Sequence, residues 1–173
     1  MKYKRFEDLP VWKDAIEFAV KVFEFTTRAK SEFQGLGDLK NQLERASVSI
    51  SNNIAEGFER GTNKELIQYI YIAKGSVGEC RSMTYIFGHL KSFRKFKEDI
   101  LDLRRCAEII AKQLNGWADS LKNSDIKGAK FLTDKERESY ERRRDLEEFD
   151  AEMTQFRKEF KEKLESGTFY DKD

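Results

Sequence analysis

Apolar residues along most of this chain return at alternating three- and four-residue steps, the spacing of helices that each bury one face. Trp12, Ala15, Ile16, Ala19, Val22, Phe23 and Thr26 form a first stripe; Phe18 and Phe25, seven apart, add a second apolar line on another face. Pro10, tolerated in a first turn, and Asp8, placed to cap, start this helix, predicted over residues 10–29. The run SEFQGLGD then supplies turn chemistry. Leu43, Ala46, Ile50, Ile54 and Phe58 predict a second helix, from Leu36 or Leu39 to Arg60, with Gly61 suited to its end. Thr62-Asn63-Lys64-Glu65 reads as a capping box, Thr62 accepting from the backbone and Glu65 reaching back.

The third helix carries two lines of the same period. Leu66, Ile70, Ala73, Val77, Cys80, Thr84 and Phe87 form the first. Tyr69, Ile72, Ser76, Glu79, Met83, Ile86 and Leu90 form the second, roughly 110° round the helix at about 100° per residue. One seam suffices for a bundle, so the second predicts contact with another subunit. The expected interface residues are Tyr69, Ile72, Met83, Ile86 and Leu90, with Phe18 and Phe25 from the first helix. After the basic connection KSFRKFK, a fourth helix follows from Ile100, Leu103, Ala107, Ile110, Leu114, Trp117 and Leu121. Four amphipathic helices with short connections predict an all-α fold, an antiparallel up-down four-helix bundle over residues 1–122. Residues 123–132, with SDIKGAK, read as a linker, and residues 133–173 as a charged C-terminal helical extension. Thr133-Asp134-Lys135-Glu136 offers that extension a cap, and Leu146, Phe149, Met153, Phe156, Phe160 and Leu164 a narrow stripe, as on a surface or coiled-coil helix.

One stretch, LERASVSISNNIAEGFERG from Leu43 to Gly61, stands apart. Charged residues make up 38% of the chain, yet Ala46 to Ala55 contains none. Ser, Asn, Val and Ile are weak helix formers, so tertiary packing must hold this helix together. Small uncharged sides predict that it is the innermost helix, its hydroxyls and amides bonded across interfaces.

Bulk numbers narrow the classes. A formal net charge of +1 argues against a strongly basic nucleic-acid module and leaves room for a local basic patch. Residues 125–173 carry net −3 and the remainder net +4, a mild asymmetry. Cys80 and Cys106 fall on helical positions without a CxxC partner, which predicts reduced cysteines and a reducing compartment. MKYKRFEDLP lacks the apolar centre of a leader, and no apolar run approaches the roughly 18 residues of a membrane span. A soluble, cytoplasmic protein is expected.

Candidate chemistry is sparse. Di-metal bundles use Glu-x-x-His repeats, whereas the single histidine, His89, has Ile86 three before it. No nucleophile elbow, P-loop or dinucleotide fingerprint occurs, and Gly75-Ser76-Val77-Gly78 lies mid-helix, where glycines permit close helix approach. No catalytic residue, cofactor or metal is expected. Glu56 and Glu79 sit among small apolar residues, which predicts partial burial. They read as an acid or metal ligand, or as carboxylates paired with Arg45, Arg60 or Arg81; for Arg45, two to three turns before Glu56, contact between helices or subunits is preferred. Lys74 and Arg81 are one heptad apart, and Lys40, Arg45, Arg60 and Lys64 lie on or beside the second helix. In a ring with helices two and three inward, these cations would line a channel attractive to phosphates. In KSFRKFK, Lys91, Arg94, Lys95 and Lys97 alternate with Phe93 and Phe96, a pattern able to hold phosphate and stack bases. The favoured alternative is a solvated bundle edge with two phenylalanines plugging its end. Arg142-Arg143-Arg144, flanked by glutamates, reads as a solvated face.

Three ordered blocks carry a resemblance. They are Phe6, Leu9 and Trp12; then Gln42-Leu43, Arg45-Ala46, Ser49-Ile50, Asn53-Ile54-Ala55-Glu56-Gly57 and Arg60; then Ile72-Ala73, Gly75-Ser76 and Glu79. Over about residues 6 to 121 the chain resembles the bacterial four helix bundle family, also called ribosomal-RNA intervening-sequence proteins. It departs at Ser51-Asn52, where Pro-Ser is usual, and at Glu44, where a basic residue is common, which argues against a uniformly basic inner surface. The resemblance implies a homopentameric ring of four-helix subunits without enzymatic activity. One relative, the accessory variability determinant of diversity-generating retroelements, partners a reverse transcriptase and its RNA. The expectation is therefore a non-enzymatic oligomeric adaptor for RNA or for a nucleic-acid-processing protein such as a reverse transcriptase. The alternative is a protein-binding assembly module with no nucleic-acid contact.

Overall fold

The computed structural model describes residue 3, residues 5–123 and residues 153–155. The expected linker and charged C-terminal helix lie almost wholly outside the described residues. Four long helices span Pro10–Arg28 (α1), Leu39–Glu59 (α2), Asn63–His89 (α3) and Lys97–Lys122 (α4), with 3-10 turns at Phe6–Asp8 and Lys91–Phe96. Each helix packs against the next and α4 returns to α1, while the diagonal pairs keep their backbones apart and meet only through core side chains such as Phe25 and Phe87. With short connections between consecutive neighbours, this is the antiparallel up-down bundle the periodicity predicts.

Local chemistry explains the boundaries. Leu9 occupies the position before Pro10 and no side chain caps α1, so Asp8 does not take the expected role. Gly35 at φ +80° and Gly37 at φ +62° turn the chain between α1 and α2 through left-handed backbone that favours glycine. At α3 the Thr62 hydroxyl accepts from the Glu65 N–H at 3.2 Å and donates to the Glu65 carboxylate at 2.8 Å. The box thus closes through the threonine hydroxyl.

Along α3 the first line, Leu66 through Phe87, is at most 1% exposed throughout, and on α4 Ile100, Leu103, Ala107, Ile110 and Leu114 face it. Ala118 completes the α4 line, because Trp117 is only partly buried. Two corrections follow from burial. Phe18 and Phe25, expected on an outer face, are each 1% exposed and belong to the core with Val11, Ala15 and Val22. Once that line points inward, Ile16 and Phe23 of the expected stripe lie well over a quarter-turn away, at about 100° per residue. Met83, expected at a subunit interface, is also core, 7% exposed, because positions 76 and 83 lean toward α2.

The Leu43–Gly61 helix is not innermost. In a square bundle α2 touches α1 and α3 while Arg45, Asn52 and Glu56 face outward, exposed. Its buried hydroxyls mostly bond back along their own helix, Ser47 to Glu44 O at 2.7 Å and Ser51 to Val48 O at 3.1 Å. The Ser76 hydroxyl does cross, donating to Ser49 Oγ at 3.0 Å. Small residues let α2 and α3 close together: a Cβ on Gly57 would stand 2.5 Å from Tyr69 Cβ. At the opposite end Phe25, Phe33, Phe87, Phe93 and Phe96 form a ring cluster, Phe33 and Phe93 with centroids 5.0 Å apart and Phe87 stacked on Phe93 at 5.1 Å. Phe93 and Phe96 are therefore bundle plugs and are closed to bases.

Candidate functional site

Two apolar stripes stay outside this core. On α1, Ile16, Val20 and Phe23 are 37%, 52% and 45% exposed, at helical steps of four and three. On α3, Ile72 and Ile86 are 44% and 43% exposed, fourteen residues and so about four turns apart. Between them Gly75, Gly78, Glu79 and Ser82 are exposed as well. A Cβ added at Gly75 or Gly78 would meet nothing within 4 Å among the described residues, so the close approach those glycines permit is not made within the four helices. Beside this stretch a cleft of about 640 Å³, lined by Arg45, Ser49, Glu79, Met83 and Ile86 among others, runs between α2 and α3. Of the other expected interface residues, Tyr69 and Leu90 are half-buried. The signal for Phe23 and Ile16 was in their period, which assigned them inward; Val20 carried no signal of its own.

The ten candidate cations divide. Lys40 bridges Glu44 at 2.6 Å, Lys95 bridges Glu32 at 2.6 Å, Arg81 reaches Glu108 at 4.0 Å, and Arg60 pairs with Glu56 one turn away. Lys74 donates to the Asn115 side chain and lies over the Tyr71 ring. Lys74 and Arg81 thus turn toward α4, whereas Arg45 stands on the outer face of α2; the expected single channel-lining set is split by α3. Lys91, Arg94 and Lys97 gather at the far end of α3 from Arg60 and Lys64, about 40 Å along the helix at 1.5 Å per residue. Arg45, Lys64, Lys91, Arg94 and Lys97 have no ion-pair partner among the described residues. Arg94 and Lys97 border a groove completed by Tyr85, His89 and Arg104, none of which sequence reasoning singled out for binding.

The acidic candidates resolve simply. Glu56 is half-exposed; it accepts the Tyr69 hydroxyl at 2.7 Å and the Arg60 guanidinium, which together hold its carboxyl below the usual range. Of the three arginines expected, its partner is Arg60, one turn along the chain. Glu79 is exposed. Glu44 receives both Lys40 and the Thr26 hydroxyl and so joins α2 to α1. Among the described residues no three His, Cys, Asp or Glu side chains converge as a metal site. Cys80 is free and buried, its thiol pushed up to about 12 by burial. Cys106 is free and half-buried beside Lys21 Nζ at 3.5 Å.

Comparison with known proteins adds the following. A profile of the 23S rRNA-intervening sequence protein family matches residues 7–116 of the 173. A solved structure of a protein with unknown function from the S23 ribosomal protein family of Bacteroides thetaiotaomicron is similar, with 21% identity and a TM-score of 0.54. The match covers 62% of this chain and 97% of that one, and at this identity the likeness is one of fold. No curated protein matches the chain.

Proposed function

Since this chain belongs to the 23S rRNA-intervening sequence protein family, we propose that it is a non-enzymatic, self-associating four-helix adaptor for RNA or for a nucleic-acid-processing protein such as a reverse transcriptase. The observation carrying the reading is the pair of exposed stripes, Ile16, Val20 and Phe23 on α1 and Ile72 and Ile86 on α3. Fully burying such a side chain is worth about 1.5–3 kcal/mol, so five half-exposed ones leave several kcal/mol to be gained by covering them. The open glycines at 75 and 78 support the same face, since small residues let a second backbone come near. A ring of five is the count that the resemblance to ring-forming relatives implies. No helix among the described residues is long and apolar enough to cross a membrane, and action in the cytoplasm is part of the proposal.

Mass measurement in solution tests it. The full chain is expected to run as a closed oligomer, and Phe23→Glu or Ile86→Lys to release subunits whose circular dichroism is unchanged. A wild-type chain that stays monomeric at high concentration removes the reading. The second reading, a protein-binding module without nucleic-acid contact, is separated by titrating labelled RNA at two salt concentrations. Phosphate contacts make affinity fall steeply with salt, and binding that ignores salt speaks for the second reading.

A further inference from the structure

Resting on the nucleic-acid part of that reading, we propose that the groove at the α3–α4 corner binds single-stranded nucleic acid. In this assignment Arg94, Lys97 and Arg104 hold phosphates, and the Tyr85–Arg104 stack receives a base. The groove, about 310 Å³, is lined by Tyr85, Gly88, His89, Phe93, Arg94, Lys97, Ile100, Leu101 and Arg104, and among the described residues no carboxylate borders it. Four other clefts on the bundle each contain at least one: Asp38 and Glu44, Glu79, Glu24, and Asp14 with Glu17. In a chain of net charge +1, a groove whose described lining has three cations, a histidine and no acid is a local concentration of positive potential.

The donors differ in how they are held. Arg94 and Lys97 are exposed and have no ion-pair partner among the described residues, so their charge is free for a ligand. Arg104 is fixed in place. Its Nε donates to Thr84 Oγ1 at 3.3 Å and one terminal nitrogen to Thr84 O at 3.0 Å, leaving the other terminal nitrogen for a phosphate oxygen. Its guanidinium lies 3.7 Å from the centre of the Tyr85 ring. Tyr85 itself is 45% exposed, so ring and guanidinium form a flat platform at the surface. His89 donates from Nδ1 to Tyr85 O at 2.8 Å, which leaves Nε2 for the groove side of the ring to use. Bases inside a duplex cannot reach such a platform, whereas those of a single strand can stack on it while the backbone follows the cations. Phe93 and Phe96 plug the bundle end as favoured, and the stacking surface here is Tyr85, one turn before the end of α3.

The test uses the full chain and a labelled single-stranded oligouridine of roughly ten nucleotides, within the span such sites cover. Arg94→Glu with Lys97→Glu is expected to weaken binding roughly tenfold or more and to flatten its salt dependence by about 0.7 per cation removed. Tyr85→Ala is expected to weaken the single strand and leave binding of a duplex of the same length unchanged. Arg45→Glu with Lys64→Glu, two unpartnered cations outside the groove, is expected to bind as wild type. His89, the chain's one histidine, gives a single set of imidazole signals in NMR, and these should shift on adding oligonucleotide to the unaltered protein. That readout needs no variant to fold. If the Arg45/Lys64 pair loses affinity and the groove pair does not, the groove is wrong and the nucleic-acid reading stands. If the wild-type chain binds no oligonucleotide at low salt, both fall. If a polyglutamate peptide moves the His89 signals as strongly as RNA does, the assignment to nucleic acid is overturned.

Discussion

Cys80 shows burial changing a side chain's chemistry. It is 0% exposed on the core line of α3, and the loss of water around a charged thiolate raises its pKa from 9.0 to about 12, with Glu79 nearby adding to the effect. The folded state keeps this proton over a range in which the unfolded state loses it. Its contribution to stability is therefore full below about pH 9 and declines by about 1.4 kcal/mol per pH unit above that, up to about pH 12. Cys80→Ala should be less stable at neutral pH because it leaves a small cavity, yet its stability should fall less steeply in alkali, as denaturant titrations at several pH values will record. Equal slopes for the two proteins would contradict the assignment. Gly57 poses a different contest at the same scale. Alanine gains about 1 kcal/mol over glycine inside a helix, but here the new methyl would sit 2.5 Å from a backbone-anchored Cβ of Tyr69. Overpacking costs about 1–3 kcal/mol, so Gly57→Ala should lower the thermal midpoint.

Gly75 reverses that sign, and the contrast belongs to the element as a whole. Both glycines interrupt long helices, but around Gly75 nothing among the described residues would touch a Cβ. Gly75→Ala should stabilise the isolated subunit by up to about 1 kcal/mol on helix propensity. If α3 packs against a second copy, the same change should weaken assembly, so the thermal midpoint of dilute protein rises while the mass distribution shifts toward subunits. A rise in both stability and assembly would take this face out of the interface. The helices show why some of this was legible. The α3 core line could be read because one strict heptad line runs from Leu66 to Phe87 without a charged residue, whereas the parallel line is interrupted by Glu79. On α1 two apolar lines competed, and a period fixes angles between residues without saying which line faces inward; burial chose Phe18 and Phe25 over Ile16 and Phe23. For α2, the absence of charge told what the face lacks, not what covers it. The groove was hidden for another reason. Tyr85, His89, Arg94, Lys97 and Arg104 lie on two helices and the turn between them, and no local spacing announces that they converge.

Over the whole molecule the four seams are unequal. α2–α3 and α3–α4 share the most extensive contacts, and α4–α1 the least. That last seam is bridged by polar groups: Arg28 to Asp99 at 2.6 Å, Lys21 to Asp102 at 2.7 Å, and Gln113 Nε2 to Asp14 at 2.6 Å. The two ion pairs are partly exposed, and such pairs contribute about 0–1 kcal/mol each. Gln113 Oε1 is buried without a hydrogen-bond partner among the described residues, which subtracts from the seam. α1 is thus the helix held most weakly by its neighbours, and it also carries Ile16, Val20 and Phe23 on its outer side. Local opening takes the least-packed unit first, so amide hydrogen exchange of dilute protein should show α1 opening at a lower free energy than α3. Raising the concentration until subunits associate should then slow exchange in α1 more than in α4, because assembly covers the stripe that the subunit leaves bare. Uniform protection across the four helices at both concentrations would mean that α1 is already fully held within one chain, and the stripe would lose its role as the surface that drives association.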